Sequence, residues 1–136
     1  MEKWKEVFKN IIPKGNYQIQ LRAGEENGLT IELFDLFYRI RIDFGSVQGI
    51  RILDEGMVQT ELYSNDEIRK FKQNNFANII YEICDGEFER QIHTIAGSYC
   101  DTIKLNHYII ITMNYNIDVI TKWEPTVEVI SIEGNV

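Results

Sequence analysis

The side chains that could do chemistry are few: two histidines, His93 and His107, two cysteines, Cys84 and Cys100, and a scatter of carboxylates. Cys100 with His107 could serve as a nucleophile and its base, but no cysteine-centred signature surrounds them and the spacing alone carries no geometry. Each histidine reads as a structural residue, His93 beside the apolar stripe of a helix and His107 just before the most hydrophobic strand. Cys84 and Cys100 read as two small, partly buried thiols that would bridge only if their segments meet. Glu32, Asp35, Asp43, Asp54 and Glu55 fall on or beside neighbouring strands and could gather at a sheet edge as a hydrolytic or metal-binding group. Arg39, Arg41 and Arg51 share that region, so cross-strand ion pairs are the simpler reading. No metal-ligand spacing and no phosphate-cradling glycine loop occurs, and neither metal nor cofactor is expected.

The elements that must position these groups are read from periodicity. Trp4, Val7, Phe8, Ile11 and Ile12 recur at helical spacing and predict an N-terminal helix ended by Pro13-Lys14-Gly15-Asn16. Tyr17–Arg22, Leu29–Phe34 and Tyr38–Phe44 alternate with period two, Ile50–Leu53 adds a short strand and Met57–Leu62 another; the short links favour an antiparallel meander. Ser64-Asn65-Asp66-Glu67 fits a capping box, and Ile68, Phe71, Phe76, Ile79, Ile80 and Ile83 continue it as a helix from about Asn65 to Ile83. Phe88, Ile92 and Ile95 predict a second, shorter helix ending at Ala96-Gly97. Leu105–Met113 reads as a strand covered on both faces, Ile117–Trp123 as either strand or helical turns, and Val127–Ile132 as a last strand. The expected fold is a single α+β domain over 1–136, a mostly antiparallel sheet with the N-terminal helix and two central helices packed on one face.

Charge narrows the function classes. Acidic groups outnumber basic ones by 21 to 14, for a net charge of −7. Residues 1–64 carry 8 basic and 10 acidic groups and residues 65–136 carry 6 and 11, so the excess lies in the second part. Such a chain repels nucleic acid and anionic membrane and attracts basic partners. The basic cluster Arg69-Lys70 and Lys72 sits in acidic surroundings and reads as an ordinary helix face. No apolar run is long enough to span a bilayer, the N-terminus does not read as a signal peptide, and cytoplasmic residence is expected. Towards the C-terminus Tyr115 and Trp123 stand among Asp118, Glu124, Glu128 and Glu133. Aromatic anchors in an acidic field are what an interface for a basic protein requires, because rings bury area while carboxylates steer the encounter.

Two stretches, Ile80-Tyr81-Glu82-Ile83-Cys84-Asp85-Gly86-Glu87-Phe88 and Leu105–Thr112 continuing through Ile117-Asp118-Val119-Ile120 to Glu124-Pro125, resemble small proteins of Gram-positive bacteria. Some of these sit beside polymorphic or contact-dependent toxins and are taken to be immunity proteins. The resemblance is one of rhythm and brings no residue roles. It implies a cytoplasmic, non-enzymatic inhibitor that occludes a toxin domain, often a basic nuclease. The other readings are a small hydrolase-like enzyme using the sheet carboxylates, and a self-associating accessory domain in which Tyr108–Thr112 or Val127–Ile132 pairs edge to edge as a homodimer.

Overall fold

The computed structural model describes residues 2–54, 78–98, 103–112 and 114–132, and these described residues form two antiparallel sheets and one short helix. The strands are β1 (Lys3–Glu6), β2 (Gln18–Gly24), β3 (Gly28–Phe34), β4 (Tyr38–Gly45), β5 (Gly49–Asp54), β6 (Ile80–Cys84), β7 (Asn106–Ile111), β8 (Tyr115–Thr121) and β9 (Thr126–Ser131). Helix α1 is Glu87–Ala96. A five-stranded sheet has the order β1-β6-β7-β8-β5 and a four-stranded sheet the order β2-β3-β4-β9. The alternation of β3 and β4 explains their placement: Leu29, Ile31, Leu33, Ile40, Ile42 and Phe44 are buried together with Ile80, Tyr108, Ile110, Ile117 and Val119 from the other sheet. Two inner faces thus share one core, the arrangement of a sandwich. Each fully buried Ile or Leu there contributes about 1.5–3 kcal/mol.

The five-stranded sheet is buried on its outer face too. Trp4, Tyr81, Ile83, Ile109 and Ile111 form a second cluster, and Phe88, Leu105 and Ile120 a third. Helix α1 makes the third cluster by laying down Phe88, Ile92 and Ala96, at i, i+4 and i+8. Ile95, expected on that stripe, is instead exposed. Glu87 and Glu89 occupy the first helical turn, where negative charge suits the helix dipole. Gly97 ends the helix at φ 59°, its N–H donating to the carbonyl of His93.

The expected N-terminal and longer central helices are overturned. Residues 3–6 are strand β1, paired with β6 from Lys3↔Cys84 to Glu6↔Tyr81. The supposed helical stripe is divided between two cores: Trp4 joins the outer cluster, whereas Val7, Phe8 and Ile12 pack against the inner one. Phe8 and Asn10 also take positive φ, which a helix cannot accommodate. The longer central helix cannot reach Ile83, because Ile80–Cys84 is a strand with Ile80 turned inward and Tyr81 and Ile83 turned outward. The capping box, residues 65–77 of that helix and the strand expected at Met57–Leu62 lie outside the described residues. Among the described residues, then, the protein is a mostly antiparallel β structure with one short helix, not an α+β sheet carrying three helices. No helix among them is long and apolar enough to cross a membrane.

Candidate functional site

The hairpin of β7 and β8 places His107 and Asp118 on the outer face of the five-stranded sheet, in diagonal positions: His107 pairs with Ile120, and Ile109 with Asp118. Arg51, on β5, stands directly opposite Asp118. His107 Nε2 lies 2.7 Å from Asp118 Oδ1, while Arg51 donates from Nε and Nη2 to Asp118 Oδ2 at 3.2 and 3.0 Å. Both oxygens of one carboxylate are therefore engaged, and with side-chain exposures of 1% for His107 and 2% for Asp118 the pair is dry. Phe88 closes the cluster: its ring meets the His107 ring at 6.1 Å, edge on, and the Arg51 guanidinium lies 5.0 Å from its centroid.

This has the base-and-orienter shape of a catalytic pair, but its other nitrogen faces the wrong way for catalysis. With Nε2 engaged by Asp118, Nδ1 is the ring nitrogen left over for any further contact. That atom lies against Gly86, where an added Cβ would collide with it, and it has no hydrogen-bond partner. No substrate atom can approach it in this conformation. The cluster fastens α1 to the sheet, and Gly86 is the residue that lets the helix start so close to the imidazole. His93 by contrast is exposed and 4.0 Å from Glu89 on its own helix. Cys84 is an exposed free thiol, and Cys100 lies outside the described residues.

The acidic–aromatic group expected near the C-terminus is not brought together as one patch. Asp118 is buried in the cluster just described. Tyr115 opens β8 and Trp123 follows its other end, roughly 20 Å away along the strand. Glu128 sits on β9 opposite Arg41. Glu133 lies outside the described residues. What remains together is Trp123 with Glu124, on the bend between β8 and β9. Trp123 is 58% exposed although its backbone is firmly placed. Its N–H donates to Thr121 Oγ1, the Lys122 N–H donates to Gln48 Oε1, and Thr121 Oγ1 donates to the Ser46 carbonyl, so the bend is tied to the link between β4 and β5.

The register puts further acids at this end of the sandwich. Arg22, Thr30, Asp43 and Thr126 form one row across the four-stranded sheet, so the turn Glu25-Glu26 after β2 and Glu124 before β9 project beyond the same edge of the sandwich. In the facing sheet Cys84, Asn106 and Thr121 mark that end, with Asp85 and Glu87 following. Glu25, Glu26, Asp85, Glu87 and Glu124 are all exposed there, interspersed with the exposed bases Lys3, Arg22, Arg90, Lys104 and Lys122.

The strand carboxylates do not converge. Glu32 takes Arg22 Nη2 at 2.8 Å and faces Arg41 on its other side. Asp35 accepts from the backbone of Phe37 and Tyr38 in the hairpin, and Asp43 from that of Gly45. Asp54 stands in the other sheet, and Glu55 lies outside the described residues. The ladder Gln20–Glu32–Arg41–Glu128 is a solvated face of alternating charge. No group of three or more His, Cys, Asp and Glu able to hold a metal occurs among the described residues. Comparison with protein families, curated proteins and solved structures finds no match for the chain.

Proposed function

We propose that the protein is a non-enzymatic binding protein whose partner is a basic protein domain, most concretely an immunity protein that occludes a cognate toxin domain in the cytoplasm. The observation that carries this reading is Trp123: a large ring more than half exposed on a bend whose backbone N–H groups donate to the Thr121 and Gln48 side chains, flanked by Glu124 and by exposed carboxylates on neighbouring loops. A pre-placed aromatic loses little freedom when it docks, and the surrounding acids accelerate encounter with a cationic surface. The functional surface on this reading is the end of the sandwich that displays Trp123, Glu124, Glu25 and Glu26, and not the Asp118 side chain.

The test is titration with basic toxin domains encoded beside the gene, at low and at high salt. The expected result is binding that weakens steeply with salt and is weakened roughly thirtyfold by Trp123→Ala. Salt-indifferent binding, or none to any such domain, would overturn the reading.

A further inference from the structure

Among the described residues four strands lie at sheet edges, β1 and β5 in one sheet and β2 and β9 in the other. Edge strands carry unpaired backbone groups, and natural sheets guard them with cations, prolines or short length. Strand β1 has only four residues and holds Lys3 and Lys5; β2 contains Arg22, and β5 contains Arg51 and Asp54. Strand β9 is Thr-Val-Glu-Val-Ile-Ser, rich in β-branched residues, with one charge and no internal guard. The edge expected at Tyr108–Thr112 does not exist, since β7 lies between β6 and β8.

The backbone pattern shows which β9 groups are unspent. Ile132 N–H donates to the Phe37 carbonyl at 2.9 Å, so residues 132, 130, 128 and 126 turn their N–H and C=O towards β4. Val127, Val129 and Ser131 turn theirs outward, and no described strand receives them. Beside this edge, Ile130 is 44% exposed, and Leu36 and Phe37 stand exposed on the hairpin that the Ile132 bond ties to β9.

We propose that β9 pairs with β9 of a second copy of this chain, antiparallel about a two-fold axis at Val129, joining two four-stranded sheets into one. In that register the outward groups meet as hydrogen-bonded pairs, Val129 with Val129 and Val127 with Ser131 of the second copy. Glu128 then faces Ile130 of the second copy, flanked by Arg41 of its own chain and, beyond Ile130, by Arg39 of the other. Of the two registers one step away, one sets Glu128 against Glu128 at the closest cross-strand spacing, where like charges repel. The other sets Ile130 against Ile130 and moves Glu128 opposite Ile132, away from Arg39 of the second copy. The contact is isologous and closed, so pairing stops at two.

This proposal is independent of the binding function above, and salt separates them. Two chains of net charge −7 repel one another, so added salt strengthens self-association while it weakens capture of a basic partner. Sedimentation from micromolar to millimolar concentration at low and high salt reads the equilibrium directly. The expected result is a dimer favoured by salt, about tenfold weakened by Ile130→Glu, which faces Glu128 of the second copy, and tightened by Ile130→Lys, which pairs with it. Ser131→Pro, which removes an outward donor and no hydrogen bond of the monomer, also weakens it, with circular dichroism confirming that each variant is folded. A monomer throughout, or equal effects of the glutamate and lysine substitutions, would overturn the proposal.

Discussion

The imidazole of His107 rests directly on the α-carbon of Gly86, the residue from which α1 departs. Gly86 has ordinary extended dihedrals, φ −75° and ψ 147°, so it is not there for a left-handed turn. It is there because any Cβ would strike His107 Nδ1 and Cε1 and the Ile83 side chain. His107 cannot withdraw, since Asp118 holds Nε2 from the other side. Gly86→Ala should therefore lower stability by about 1–3 kcal/mol through overpacking, measured by urea denaturation. In a His107→Ala background the same substitution should cost much less, giving a measurable coupling.

The Asp118 carboxylate is held between Arg51 and His107, and removing its charge leaves a guanidinium and an imidazole around an amide that can satisfy only part of the network. Breaking a buried pair from one side costs about 3–5 kcal/mol, reduced here because Arg51 keeps 29% of its side chain exposed. Asp118→Asn should thus destabilise by about 2–4 kcal/mol in chemical denaturation, while Glu124→Gln on the exposed bend stays within about 0.5 kcal/mol of the parent. An equal, small effect of both would show that the buried network contributes nothing.

These two residues also show where the sequence was informative and where it was not. Alternation places β3 and β4 well, and Ala96-Gly97 marks the end of α1, because local pattern and tertiary environment agree there. Trp4 to Ile12 misled because apolar side chains serving two cores on opposite sides of one sheet mimic a helical stripe. Asp118 falls, in sequence, among the acids around Tyr115 and Trp123, and nothing local distinguishes it from a surface group. A signal was nevertheless available. If Tyr108–Ile111 is covered on both faces, its hairpin partner must be buried as well, and polar groups in that partner need buried mates. His107 and Arg51 are those mates, but which strand lies beside which follows from sheet order, and one sequence does not state it. Trp123 with Glu124 survived as a local pair because adjacency needs no topology.

Burial shapes the alkaline limit of stability. Tyr17 and Tyr108 are both pushed up to about 12, chiefly by desolvation, with Asp35 and then Tyr38 adding to the first and Glu82 and then Glu124 to the second. Tyr81 is raised further, by desolvation and then Glu6. The folded chain therefore holds these protons at pH values where the unfolded chain, with phenols near pH 10, has released them. Their contribution is fully present below about pH 10 and is lost as pH rises towards 12. The urea midpoint should fall over that interval. Absorbance of phenolate should rise late and together with loss of near-ultraviolet circular dichroism; early phenolate formation at all three sites with the fold intact would contradict the assignment.

The two tryptophans give opposite reports. Trp4 is buried in the outer cluster, tilted 5.5 Å from Tyr81, with Nε1 donating to Glu2 at 3.0 Å, whereas Trp123 stands in solvent on its bend. Removing a packed indole leaves a large cavity, and Trp4→Ala should cost about 3–5 kcal/mol and loosen β1 from β6. Trp123→Ala deletes a ring that supports no core and should change stability by less than about 0.5 kcal/mol. Fluorescence separates them in one protein: acrylamide should quench the red-shifted Trp123 emission and spare the blue Trp4 emission. A basic partner that docks on this end of the sandwich should then protect Trp123 from acrylamide and shift its emission to the blue. Dimerisation through β9 should leave Trp123 quenchable, because that bend precedes the paired residues and lies beyond the two-fold contact. Protection of Trp123 by salt-driven self-association alone would place the second copy on the acidic end and move the dimer contact away from β9.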